Sequence, residues 1–280
     1  MALVKVDAQV VDGRGRNITD LTPADFEIFD ENRPRRLTGF AHESEPIDLL
    51  LLLDVSGSMR RSLGQLAATA ESALNELHSA DRVAVMLFAR NAAMRTGFTS
   101  DFGRVAAGIR SGLSDESLGG GTAINSALVS AALQFASAKQ SGRRAVLIVT
   151  DNMSLNYRVS DDEVLRRLSD ANAVLYGMLI GKSRRPPAPR PGAYVNPDFT
   201  PSDIAKLAEL SGGEFAEASR PSQTLADMVQ RIRARYSLEF EAPPSAPSAY
   251  HRIRVELTPG ARERYPNARV RARNGYFAAQ

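Results

Sequence analysis

Ile47-Asp48-Leu49-Leu50-Leu51-Leu52-Leu53 is an almost unbroken apolar run that ends on Asp54. It is too short to cross a bilayer and has the length of a strand buried on both faces of a parallel sheet. A second such run, Ala145 to Val149 (AVLIV), ends on Thr150-Asp151. Ligands of open α/β sheets bind in the crevice beyond the carboxyl ends of the strands, where strand order reverses. If the two strands are neighbours, Asp54 and Asp151 converge there.

Between Glu45 and about Arg235 buried strands alternate with amphipathic helices. Leu63, Leu66, Ala67, Ala70, Leu74 and Leu77 keep helical spacing, and Val83 to Phe88 then reads as a strand, with a short edge strand at Ala93 to Thr96. Further helices carry Phe102 to Ile109, Ile124 to Phe135, Val164 to Leu168, Ile204 to Ala208 and Leu225 to Ile232. Strands follow at Ala173 to Ile180 and Glu214 to Ala216. This alternation predicts an α/β fold, a doubly wound, mostly parallel sheet, over 45–235.

The two ends have the texture of β structure. Val4, Val6, Ala8 and Val10 alternate with other residues, and Phe26, Ile28, Leu37 and Phe40 suggest two further short strands. After the α/β region, Tyr236, Leu238 and Phe240 alternate, Pro243-Pro244 breaks the pattern, and Ile253, Val255 and Leu257 resume it before Val270 and Ala272. Neither end is long enough to bury a good core. The expectation is one β-rich, sandwich-like domain in which 236–280 pairs with 1–44, the α/β domain being inserted between them. Two separate β extensions packed on that domain are the alternative.

Oxygen-bearing side chains cluster at three places: Asp54, Ser56 and Ser58 after the first strand, Thr122 after Gly119-Gly120-Gly121, and Asp151 after the second strand. Ser56 and Ser58 alternate on an expected extended loop, so both hydroxyls can face the side that Asp54 faces. The glycines would let Thr122 come in from the side. Together these groups form an oxygen-only cage for one hard divalent cation, magnesium first and manganese second.

The five positions, in this order, resemble the metal-ion-dependent adhesion site of von Willebrand factor A-type domains, whose motif is D-x-S-x-S, then a distant Thr, then a distant Asp. The resemblance implies that Asp54, Ser56, Ser58, Thr122 and Asp151 surround the metal directly or through water. It also implies an adhesion-type, protein-binding role in which an Asp or Glu of a partner completes the coordination. Many relatives carry Gly after the last Asp where this chain has Asn152, so the loop there is expected to differ. The segment Leu21 to Ile28 (LTPADFEI), with Tyr236-Ser237-Leu238 and Arg273-Asn274-Gly275-Tyr276-Phe277, is similar to the flanks of a bacterial family related to these domains. Its members are generally exported, which implies a secreted, extracellular or periplasmic protein whose leader is absent from this chain. A cytoplasmic location is the alternative.

Composition bounds the function. The 280 residues are 43% hydrophobic and 24% charged, with a net charge of +3 and no cysteine. Disulfides and zinc-thiolate sites are therefore excluded. Basic residues are scattered or in short pairs, which gives no support to nucleic-acid binding. Met1 to Val11 lacks the pattern of a signal peptide, and no apolar run could span a membrane. Lys182 to Pro201 holds six prolines and reads as an extended surface loop. A metal-dependent hydrolase, with Ser56 as nucleophile or the metal activating water, is the competing function. It lacks a base, since His42, His78 and His251 stand beside no recognisable motif. A structural module with a vestigial metal site is the third reading.

Overall fold

The structure, a computed structural model, describes residues 3–42, 45–74, 77–114, 117–137, 142–153, 159–180, 191–192, 202–246 and 248–278. The proline-rich segment, apart from Pro191 and Gly192, lies outside the described residues.

The first strand of the apolar pair, β5 (Ile47–Asp54), is buried at every position. It lies between β8 (Arg143–Thr150) and β6 (Arg82–Phe88), parallel to both. The six-stranded sheet runs β10 (Phe215–Ala218), β9 (Ala173–Ile180), β8, β5, β6 and β7 (Ala92–Thr99), with only β7 antiparallel. Edge strand β7 is longer than its pattern suggested, because exposed positions dilute its alternation.

Successive side chains of a strand point to opposite faces. Leu49, Leu51 and Leu53 accordingly join one core cluster with α1 (Arg60–Leu74), α2 (Phe102–Ser111) and α6 (Pro221–Arg233). Leu50 and Leu52 join another with α3 (Ile124–Gln134), α4 (Asp161–Asp170) and α5 (Ile204–Leu210). The result is a three-layer α/β/α unit. No helix among the described residues is long and apolar enough to cross a membrane.

The chain ends share two antiparallel sheets. β1 (Leu3–Val11) pairs with β11 (Tyr236–Glu241) and β13 (Arg269–Arg271), and β11 pairs on its other side with β4 (Leu37–His42). The second sheet runs β14 (Gly275–Phe277), β12 (Tyr250–Leu257), β2 (Phe26–Asp30) and β3 (Arg33–Arg35). Both sheets feed one core that includes Val6, Ile28, Leu238 and Val255, so the reading of two separate β extensions fails.

Three features went unforeseen. β3 forms because Glu31 and Asn32 both take positive φ, making a tight hairpin, and its Pro34 is tolerated on an edge strand. The short α7 (Pro259–Arg264) starts on a proline, and β14 is too short to show alternation.

Buried arginines join the two halves. Arg235, only 1% exposed, donates from Nη2 to the carbonyls of Asp7, Gly212 and Arg271 at 3.0, 2.5 and 3.2 Å. Arg143 donates to the carbonyls of Ile232, Arg233 and Arg235 at 3.3, 2.9 and 3.0 Å, which satisfies the open end of α6. The neighbouring Tyr236 hydroxyl donates to the Ile18 carbonyl at 2.9 Å and accepts from the Leu21 amide at 3.1 Å. All three residues are buried. Tyr236→Phe keeps the ring but strands both backbone groups, so it should cost about 1–3 kcal/mol of unfolding free energy. Urea titration would show this as a lower midpoint, and an unchanged midpoint would mean that Ile18 and Leu21 find other partners.

Candidate metal centre

The chain leaves β5 for β6 and β7 on one side, then returns to β8 on the other. The strand order therefore reverses between β5 and β8, and Asp54 and Asp151 stand at the carboxyl ends of those two strands. Leu53 is opposite Val149, which sets Thr150 across from Asp54.

Asp54 is fully buried. Its Oδ1 accepts from the Ser56 amide at 2.9 Å, and its Oδ2 accepts from the Thr150 hydroxyl at 2.7 Å. Ser56 to Met59 form a turn closed by the Met59 amide on the Ser56 carbonyl at 2.9 Å, where an extended loop was expected. The turn brings the Ser56 and Ser58 hydroxyls within 3.3 Å of each other at the surface. Gly57 has no positive φ and open space around a would-be Cβ, so it is not conformationally required.

The glycine loop does need its glycines. Gly119 and Gly121 have φ of +79° and +96°, the left-handed region where a Cβ is disfavoured. The loop is stapled to the end of β6 by Asn91 amide to Leu118 carbonyl at 3.0 Å and Ala123 amide to Ala89 carbonyl at 2.9 Å. The end of β6 is tied to β5 by Val55 amide to Phe88 carbonyl at 2.8 Å. Backbone bonds thus carry the loop of Thr122 to the strand end that bears Asp54. The N-cap of α3 is Ala123, so Thr122 sits one residue before the cap.

Asp151 is buried, and its Oδ1 accepts from the Met153 amide at 3.0 Å. Asn152 takes φ +57°, the left-handed conformation that asparagine tolerates better than most residues. It adopts here a turn that glycine would enter freely, so the departure from the motif is compatible with such a loop. Its Oδ1 is buried without a hydrogen-bond partner. Thr150, passed over in the sequence as a strand end, both donates to Asp54 and accepts from the Asn152 amide at 3.1 Å. The signal for it lies in the two apolar runs, whose pairing places Thr150 level with Asp54.

Of the six other buried carboxylates four have an arginine partner, Asp30 pairs with His251, and Asp7 accepts from the Ser237 hydroxyl at 3.1 Å without an ion pair among the described residues. Asp48 is held by Arg82 at 2.8 Å, Asp81 by Arg233 at 2.9 Å, Asp25 by Arg264 at 2.6 Å and Glu214 by Arg231 at 3.1 Å. Among the described residues Asp54 and Asp151 have no such partner, and no third His, Asp or Glu joins them. A buried carboxylate without a counter-charge is costly. Two carboxylates with the Ser56 and Ser58 hydroxyls beside Asp54 are of a donor type that suits a hard divalent cation.

Burial raises the Asp54 carboxyl above its ordinary value, against the hydrogen bonds from Thr150 and Ser56, and the Asp151 charge adds to the rise. The folded state then holds this proton more tightly than the unfolded chain does. Metal-free protein therefore loses stability as pH rises from the ordinary aspartate value through the raised one. In chelator, Asp54→Asn should be more stable than the wild type at neutral pH, with the gap closing below the ordinary aspartate pKa. Denaturation midpoints across that range test this, and equal midpoints at neutral pH would refute it.

Residues 49–153 match the model of the von Willebrand factor type A domain. No curated protein matches the chain. Among solved structures, an aerotolerance-related membrane protein from Bacteroides fragilis superposes with a TM-score of 0.52 at 19% identity, over 66% of this chain and 98% of its own. Proximal thread matrix protein 1 from the mussel byssus, with a zinc-occupied MIDAS motif, superposes with 0.54 at 17% identity, over 73% of this chain and 50% of its own. A von Willebrand factor type A protein from Catenulispora acidiphila covers 99% of this chain and 73% of its own, with 0.50 at 13% identity. At such identities the likeness is one of fold. Residues 49–153 thus carry the pattern of a von Willebrand factor type A domain, set in a parallel sheet with Asp54 at its crevice.

Proposed function

We propose that the chain is a metal-dependent protein-binding module that captures an acidic side chain of a partner. The observation that carries this reading is the pair Asp54 and Asp151, buried carboxylates at the sheet's switch point without a counter-charge from the described residues. Magnesium, or manganese, would supply that charge, held by Asp54, Ser56, Ser58, Thr122 and Asp151, some through water. Thr150 would orient the Asp54 carboxylate from behind. A partner's Asp or Glu would replace one water and bind the cation in a partly desolvated interface. The mussel protein's zinc-occupied motif supports the reading by showing that one protein of this fold loads its site with a divalent ion.

A hydrolase is the weaker alternative, because the three histidines are engaged elsewhere. His42 stacks on Tyr236 at 4.4 Å, His78 contacts Arg233, and His251 pairs with Asp30 at 3.0 Å. Ser56 gains no base from them. A vestigial site is disfavoured by the left-handed Asn152, since the departure from the motif keeps a glycine-like turn. The flanking segments similar to an exported bacterial family support a location outside the cytoplasm.

Calorimetry should find one magnesium or manganese ion per chain, lost in Asp54→Ala and weakened about 10–100-fold in Thr150→Val. Full affinity in Asp54→Ala would remove the site assignment. Immobilised protein should retain a partner from its native source in magnesium, release it to chelator, and fail to retain it as Asp151→Ala or Thr122→Ala. Retention in chelator would move the interface elsewhere, and ester or phosphate hydrolysis lost in Ser56→Ala would favour the enzyme.

A further inference from the structure

Two clefts adjoin between α4 and the strands of the chain ends, with volumes of about 590 and 1070 Å³. They share Arg166, Ser169, Arg273 and Phe277, and together make one elongated groove. Its helical wall is the face of α4 from Asp162 to Asp170. Its other wall includes two backbone edges. β14 is the last strand of its sheet and pairs only with β12. β1 pairs with β13 over Gln9 to Val11, so on that side Leu3 and Lys5 have no strand neighbour among the described residues.

The charge in this groove is unevenly matched. Lys5 pairs with Glu45, and Arg167 pairs with Glu163 at 2.7 Å. Among the described residues Arg166 has the ring of Phe277, 4.4 Å from its guanidinium carbon. Arg273 donates to the Lys5 carbonyl, and its Nε is buried with no hydrogen-bond partner. Among the described residues neither arginine has a carboxylate within ion-pairing distance. Burial pushes the Arg273 guanidinium below its ordinary value, a penalty that the Asp7 charge offsets in part and that an incoming anion would relieve further. The acidic residues Asp162 and Glu163 lie at the start of α4 and Asp170 at its end, so the unmatched cations occupy the middle. Apolar surface lies beside them in Leu165, Phe277 and Tyr250, the last 48% exposed.

We propose that this groove docks an extended, carboxylate-bearing segment of a partner polypeptide, which adds as a strand to β14 and sets a central Asp or Glu between Arg166 and Arg273. A free strand edge supplies backbone hydrogen bonds, and side-chain pockets beside it supply selectivity. Guanidinium groups donate to a carboxylate in a bidentate fork, which fixes the register of the segment. The site lies apart from the metal crevice and takes its occupant without a cation, so it stands whether or not the metal reading does.

The test uses the full chain in chelator and a fluorescein-labelled peptide, Thr-Val-Thr-Glu-Val-Thr-Val, followed by anisotropy. Saturable binding is expected, weakened about tenfold or more when the central Glu is replaced by Gln and by the same factor in Arg166→Gln. Arg166→Gln is the decisive variant because it leaves the anchor from Arg273 to Lys5 intact. Amide hydrogen exchange should slow at Gly275 and Phe277 when the peptide binds. Equal binding of the Gln peptide, an unaffected Arg166→Gln protein, or no saturable binding at millimolar concentration would overturn the proposal. Binding that appears only with magnesium would overturn it too, by assigning the peptide to the metal crevice.

Discussion

Burial of β5 on both faces is the constraint on which the rest of the structure depends. Its five consecutive leucines leave no solvated side, and each buried leucine contributes roughly 1.5–3 kcal/mol. Such a strand needs helices above and below and parallel neighbours left and right. Parallel neighbours require crossover helices, and crossovers on both sides of β5 create a switch point at its carboxyl end. Asp54 occupies that end because the strand stops there. The same packing that organises the core therefore holds a carboxylate where it is dry, fixed and close to a second one.

The contrast between the two ends of β5 shows what distinguishes this position. Asp48, near the amino end, is as buried as Asp54, yet Arg82 grips it through Nε and Nη2 at 2.9 and 2.8 Å. The chain answers one buried charge with its own cation and leaves the other to a hydroxyl and an amide. Hydrogen bonds orient a carboxylate but do not neutralise it. That difference between two aspartates of one strand is what the proposed cation would answer at the unneutralised end.

Much of this was legible in the amino-acid sequence because the decisive signals are strong and local. Six apolar residues in the seven before Asp54, five before Thr150, and helical spacing in between are enough to specify the parallel sheet and the level of its strand ends. The pairing of the chain ends was also accessible, since alternation at Val4 to Val10 and at Tyr236 to Phe240 offered two half-cores. What escaped depended on interactions across long sequence distances. Thr150 matters through its register with Asp54, and Arg235 through three carbonyls from separate segments. Arg166 and Arg273 meet in one groove although more than a hundred residues separate them. Single residues of these types carry no pattern of their own, so only the folded chain shows which of them meet.

The topology also settles which end of the α/β unit faces outward. Crossover helices run antiparallel to the strands they connect, so α6 finishes at the amino ends of the parallel strands. The chain enters β5 at that same end, where the Arg143 amide bonds to the Pro46 carbonyl at 3.0 Å. Both connections to the sandwich are therefore made at the amino side, and the buried contacts of Arg143 and Arg235 lock them there. Among the described residues the carboxyl side, with the Asp54 crevice, carries no connection to the sandwich. Ser58 remains exposed there, and Met153, 67% exposed, stands two residues from Asp151. The proposed partner of the crevice would thus meet no described strand of the sandwich, while the proposed segment along α4 would meet the sandwich directly. The two surfaces differ in chemistry for the same topological reason: one is made of strand ends that present carboxylates, the other of a helix flank and open strand edges that present arginines.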